Sequence, residues 1–176
     1  MRHDLFTTLI QITDVTSLPY HKSFPTLQDL ATYCKNGYSE NQSILEPLLS
    51  GILDLGEQYR KFIKCKHRLK IEKIWINVNK QPENYYSNCI LSGVFFVNIT
   101  KGEMIFKHPG FSNIENAWSV DDFEEKTIYN STSCKILPNP NALIIFPGWL
   151  MHSIVPYNSN EETITISFNL INDRSN

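Results

Sequence analysis

Two periodicities divide the chain. Between about Ser43 and Cys65, Leu45, Leu48, Leu49, Ile52, Leu53, Tyr59, Phe62 and Ile63 recur mostly at spacings of three and four, which predicts an amphipathic helix with one buried stripe. Ser43 with Glu46 supplies a capping box, and Pro47 sits in the first turn, where its missing N–H is tolerated. Upstream, Thr26 followed by Asp29 opens a shorter helix that Gly37 would stop, and Leu5 to Gln11 reads as a short strand.

From Ile71 the period changes to two. Ile74, Ile76 and Val78 alternate with Trp75, Asn77 and Asn79, and Ile164, Ile166, Phe168 and Leu170 alternate with Thr163, Thr165, Ser167 and Asn169. Further strands are expected near Leu91 to Ile99, Glu103 to Lys107, Lys126 to Tyr129, Cys134 to Leu137, Ala142 to Phe146 and Met151 to Val155. Turn residues such as Pro109-Gly110 and Pro138-Asn139-Pro140-Asn141 separate some of them. About eight short strands after two helices predict a mostly β protein, a two-sheet jelly-roll (double-stranded β-helix, cupin-like) with flanking N-terminal helices. With no repeat, linker or composition shift, residues 1–176 read as one domain: a supporting segment over 1–70 and a jelly-roll core over 71–176. The polar rows of the two half-polar strands suit either an inward-facing ligand pocket or a solvated outer face.

Composition narrows the function classes. A formal net charge of -2, with Lys and Arg scattered, argues against nucleic acid as a partner. The N-terminus does not look like a signal peptide and no apolar run is long enough for a membrane span, so a cytoplasmic protein without a membrane partner is expected. Cys34, Cys65, Cys89 and Cys134 lie far apart and form no zinc or redox motif. Unpaired strand edges would allow a homodimer.

The strongest local signal is Leu143 to Pro156, LIIFPGWLMHSIVP. A buried strand ends at Phe146-Pro147, turns through Gly148 and Trp149, and returns with His152 pointing opposite to Met151 and Ser153. A lone histidine on a strand is more often a hydrogen-bonded core or surface residue than a ligand. Three other pieces accompany it in order. They are the opening LFTTLIQITDV, Trp75-Ile76-Asn77-Val78-Asn79 followed by Leu91-Ser92-Gly93-Val94-Phe95-Phe96-Val97, and a last strand ending Ser167-Phe168-Asn169. Together they resemble the small 2-oxoglutarate and Fe(II)-dependent oxygenases common in marine bacteria and their phages, in which case the chain would work in a bacterial or host cytoplasm.

That resemblance implies a definite chemistry. Fe(II) requires two His and a carboxylate or third His on one face, and a basic residue on the last strand must neutralise the distal carboxylate of 2-oxoglutarate. Carried over residue by residue, the metal positions fall on Asn84, Tyr86 and His152, and the basic anchor on Thr163. Only His152 is a normal ligand. Thr163, Thr165 and Ser167 would be left to hydrogen-bond the cosubstrate. His108, Lys126 and Lys135 are candidate stand-ins, with a rim histidine and solvated lysines as the plainer reading. Glu83 would serve only if the register slipped by one residue, and nothing brings His3, His21 and His67 together.

Two functions follow. One is a binding or structural module on an oxygenase scaffold that has lost conventional Fe(II) and 2-oxoglutarate binding. Trp75, Tyr85, Tyr86, Phe95, Phe96, Trp149 and Phe168 would then line a pocket for a small molecule or a partner's peptide, or simply pack in the core. The other is an active Fe(II)/2-oxoglutarate dioxygenase, a hydroxylase with a rearranged site. A metal-free isomerase or lyase on the same fold ranks last, because no acid/base pair is visible.

Overall fold

The alternation read from the sequence is what separates the molecule into layers. The computed structural model describes residues 8–18, 24–36, 42–79, 87–127, 130–156 and 162–174. Its strands are β1 (Gln11–Asp14), β2 (Leu69–Val78), β3 (Leu91–Asn98), β4 (Gly102–Lys107), β5 (Ser133–Ile136), β6 (Ala142–Pro147), β7 (His152–Pro156) and β8 (Ile164–Asn172). They form a five-stranded sheet in the order β1-β6-β3-β8-β2 and a three-stranded sheet in the order β5-β4-β7, with every pair antiparallel. Two facing antiparallel sheets with interleaved connections make the jelly-roll expected from the strand count.

Helices α1 (Leu27–Lys35) and α2 (Glu46–Phe62) cover the outer face of the larger sheet. Thr26 caps α1 as expected, accepting from the Asp29 amide at 3.1 Å while its hydroxyl donates to the Asp29 carboxylate at 2.6 Å. The start of α2 differs from expectation. A 3-10 turn over Gln42–Leu45 precedes it, Ser43 is not the cap, and Leu45 occupies that position without a side-chain bond. Leu48, Ile52, Leu55 and Tyr59 of α2 bury against Ile164, Ile166, Phe168 and Leu170 of β8, with Ile74, Ile76 and Val78 of β2 beside them. Each such side chain contributes about 1.5–3 kcal/mol when fully buried, so this face dominates cohesion. The Tyr59 hydroxyl donates to the Leu9 carbonyl at 2.6 Å, and the Glu57 carboxylate accepts the Leu69 amide at 2.8 Å, fixing α2 to the chain before β1 and to β2.

Three other sequence expectations shift. The first strand lies at Gln11–Asp14, where it pairs with β6, whereas residues 8–10 are outside any strand. Lys126 and Thr127 are not in a strand either. A short helix α3 (Phe111–Ala117) was not expected, and it buries none of its residues, so it lacks the apolar stripe that would have revealed it.

Candidate functional site

The second face of the large sheet looks into the space between the sheets. Its apolar part comprises Val94 and Phe96 of β3, Ala142, Ile144 and Phe146 of β6, and Met104 and Phe106 of β4. The pairings Phe96↔Thr165, Val94↔Ser167 and Ser92↔Asn169 put the polar row of β8 on this same inner face. Thr165, Ser167 and Asn169 are only 1%, 6% and 7% exposed, so the row is not a solvated outer face.

Buried polar atoms in such a place must find partners, and these find one another. The Asn77 amide, on β2, donates to Ser167 Oγ at 3.0 Å and to Thr165 Oγ1 at 3.3 Å. Ser92 Oγ donates to Asn169 Oδ1 at 2.8 Å, and Asn169 Nδ2 donates to Ser87 Oγ at 2.8 Å. At the far end of β8, Thr163 is bound through its backbone. Its amide donates to Asn79 Oδ1 and its carbonyl accepts the Asn79 amide, both at 2.9 Å. Asn79 has φ 49°, a left-handed conformation that asparagine tolerates better than most residues.

His152 opens β7 opposite Phe106 and enters the same interior at 8% exposure. Its ring lies 4.6 Å from that of Phe146, and Phe146 in turn meets Phe106 edge-on at 4.9 Å. The Nδ1 atom is 3.1 Å from the Leu150 carbonyl, which can only accept, so Nδ1 carries the proton and Nε2 the lone pair. Burial holds the His152 pKa below its ordinary value, with the Leu150 bond opposing in part, which favours the neutral imidazole.

The remaining candidates separate widely. Asn84 and Tyr86, with Glu83 and Tyr85, lie outside the described residues. Lys135 is no stand-in for an interior cation: it pairs opposite Ile105, away from Phe106, and forms an ion pair with Glu103 at 2.7 Å. His108 takes a turn role, its Nδ1 accepting the Gly110 amide at 3.0 Å. The described members of the aromatic set do not converge on one pocket. Phe95 and Phe168 belong to the helix-side core, Phe96 to the inter-sheet core, and Trp149 is 53% exposed. The Ser92–Asn169–Ser87 chain and the Phe106–Phe146 contact with His152 were missed from sequence. A period-two pattern marks which face a residue takes but not which residues meet across strands.

With this geometry in place, comparison with known proteins is informative. Residues 73–169, more than half of the chain, match the family model described as "Putative 2OG-Fe(II) oxygenase". The chain belongs to this family. Solved structures of 2OG oxygenases share its fold. The non-heme alpha ketoglutarate dependent epimerase SnoN from nogalamycin biosynthesis superposes with TM-score 0.62 at 8% identity, covering 93% of this chain and 78% of that one. A Pseudomonas putida prolyl-4-hydroxylase gives 0.59 at 12% identity, covering 97% and 91%. HygX from Streptomyces hygroscopicus, with nickel and 2-oxoglutarate bound, gives 0.57 at 7% identity, covering 96% and 84%. No curated protein sequence matches the chain. Among the described residues, no helix is long and apolar enough to cross a membrane.

The 2OG-Fe(II) oxygenase family implies an iron and a cosubstrate, and the donor set decides whether the residues present fit them. Among the described residues no three His, Cys, Asp or Glu side chains gather. His152 offers one imidazole nitrogen, and Asn84 and Tyr86, the other two positions that the resemblance implies, lie outside the described residues. For the cosubstrate, the inner face of β8 offers Thr165, Ser167 and Asn169, which are uncharged and already bonded to Asn77, Ser92 and Ser87. Lys73, opposite Asn169, is exposed and lies over the Trp75 ring at 5.5 Å. A dicarboxylate buried against neutral groups would face a desolvation penalty of several kcal/mol. The described residues therefore do not by themselves make up the conventional iron and 2-oxoglutarate arrangement.

Proposed function

We propose that this chain uses the oxygenase scaffold as a binding module and does not hold Fe(II) and 2-oxoglutarate in the conventional way. The observation that carries this reading is the hydrogen-bond row Thr165–Asn77–Ser167, whose uncharged groups already bond to one another on the inner face of β8. Thr163, at the anchor position, supports it, because its backbone is engaged with Asn79 and its side chain is neutral. His152 then acts as a buried, neutral, hydrogen-bonded ring that completes an aromatic wall. The ligand in this reading is a small molecule or a partner's peptide taken up elsewhere on the scaffold, and an exposed strand edge leaves room for a second copy of the chain.

The test is an anaerobic titration of the metal-free protein with Fe(II) and 2-oxoglutarate, following the visible charge-transfer band of the chelate. The expected result is a folded protein with no saturable band. A band that saturates at one equivalent and disappears in His152→Ala would instead establish the other reading, a dioxygenase with a rearranged site.

A further inference from the structure

The space between the sheets continues past the aromatic wall. On the far side of Phe106 from His152, toward β5 and β1, lies a cleft of about 860 Å³. Phe106, Ile10, Leu150 and Pro109 give it an apolar lining, while Lys107, Lys126 and His108 are its basic residues. Among the described residues no carboxylate lines it, although the chain as a whole carries more acidic than basic residues. Glu124 and Glu125, the sequence neighbours of Lys126, line an adjoining cleft beside Trp118 and Phe123.

The basic groups at this cleft are suited to an anion. With His108 Nδ1 accepting the Gly110 amide, the proton of the neutral ring sits on Nε2, which is therefore a donor. The Lys107 ammonium lies 5.5 Å over the Phe111 ring, and none of the ion pairs among the described residues involves Lys107 or Lys126. Thr127, Ser131 and Ser133 add hydroxyls to the lining. A cavity with an apolar floor and a few converging polar groups is the usual form of a small-molecule site, and like-signed charges around it select the ligand's charge.

We infer that this cleft binds a small organic anion with an apolar body, such as an arylalkyl carboxylate. The apolar part lies against Phe106, Ile10 and Leu150, and the carboxylate meets Lys126 and His108, with Lys107 at the rim beside Phe111. The site is distinct from the polar row of β8, because neither Asn77 nor Thr165, Ser167 or Asn169 lines it. The inference deepens the binding-module reading by naming a ligand class. Its test uses metal-free protein, so its outcome is separate from that of the iron titration.

Cys134 provides a reporter, because it is exposed, lies in register with Phe106 and lines the cleft. The probes are 4-phenylbutyrate and its neutral analogue 4-phenylbutanamide, titrated calorimetrically, with iodoacetamide labelling of Cys134 mapped by mass spectrometry. The carboxylate should bind roughly ten-fold or more tightly than the amide and slow labelling of Cys134. The double variant Lys107→Gln/Lys126→Gln should lose that preference while keeping the wild-type melting temperature. An excess of 2-oxoglutarate, which lacks the apolar body, should not displace the bound probe. Equal affinity for acid and amide, no binding up to millimolar probe, or binding that leaves Cys134 labelling unchanged would each overturn the assignment.

Discussion

Gly93 is the position at which a single methyl group tests the architecture most directly. It lies in the middle of β3, paired on both sides, and faces Phe168 of β8 across the ladder. A Cβ built there would lie 2.1 Å from Phe168 Cζ, with two further ring atoms at 2.6 and 2.8 Å. Ordinary contacts begin near 3.4 Å, so the ring would have to retreat by more than an ångström. Phe168 is fully buried in the helix-side core and has no solvent to move into. Gly93→Ala should therefore destabilise by about 1–3 kcal/mol, the usual range for overpacking, after a gain of about 0.5–1 kcal/mol from restricting the unfolded chain. Phe168→Leu alone should cost about 1–2 kcal/mol from lost contacts. The double variant should be more stable than the sum of the two by about 1–2 kcal/mol, because leucine removes the atoms the methyl meets. Urea unfolding followed by tryptophan fluorescence and circular dichroism, with unchanged m, reads all three. Additivity within about 0.5 kcal/mol would refute the argument, since it would mean that the ring does not rest on Gly93.

Two further outcomes follow from the buried polar groups. Ser92→Ala removes the donor to Asn169 Oδ1 and leaves a buried acceptor unmatched, so stability should fall by about 1–3 kcal/mol; a loss below a few tenths in chemical unfolding would show that the bond contributes nothing. His152 has a folded pKa below its ordinary 6.5, so below that pH the unfolded chain takes up a proton that the folded chain resists. Its contribution is complete above about pH 6.5 and is lost as pH falls toward the folded pKa, with a slope of at most about 1.4 kcal/mol per pH unit. His152→Gln should flatten that part of the stability–pH curve, and an unchanged slope in the variant would contradict the buried neutral imidazole.

The fold was readable because its faces are written in a strict alternation. Ile164, Ile166, Phe168 and Leu170 against Thr165, Ser167 and Asn169 could be assigned to opposite sides of a sheet before any coordinates, and they lie there. The motifs that signalled the family prove to be one packing unit. Gly93 makes room for Phe168, and Ser92 bonds to Asn169, so the Leu-Ser-Gly and Ser-Phe-Asn pieces meet across β3 and β8. Such motifs identify the scaffold through packing and carry no information on whether the chemistry persists. The candidate site was less legible, because its properties depend on residues far apart in sequence. Nothing local to Asn77 announces that it will bond to Thr165 and Ser167, and nothing local to Lys126 places it with Lys107 and His108. The offset of the first strand has a similar origin, since its extent is set by pairing with β6 and not by its own apolar content.

The pairing of β1 with β6 has a consequence for how the chain is made. Gln11 meets Ile145 and Asp14 meets Ala142, so β1 waits some 130 residues of synthesis for its partner. Until it docks, β6 presents Ala142-Leu143-Ile144-Ile145-Phe146, apolar on both faces, as an unpaired edge open to any neighbouring chain. The four residues of β1 thus act as a guard on a strand that is apolar on both faces. Contacts of such long sequence separation form late, so the hazard is greatest at the last stage of folding, when nearly all of the large sheet is already in place.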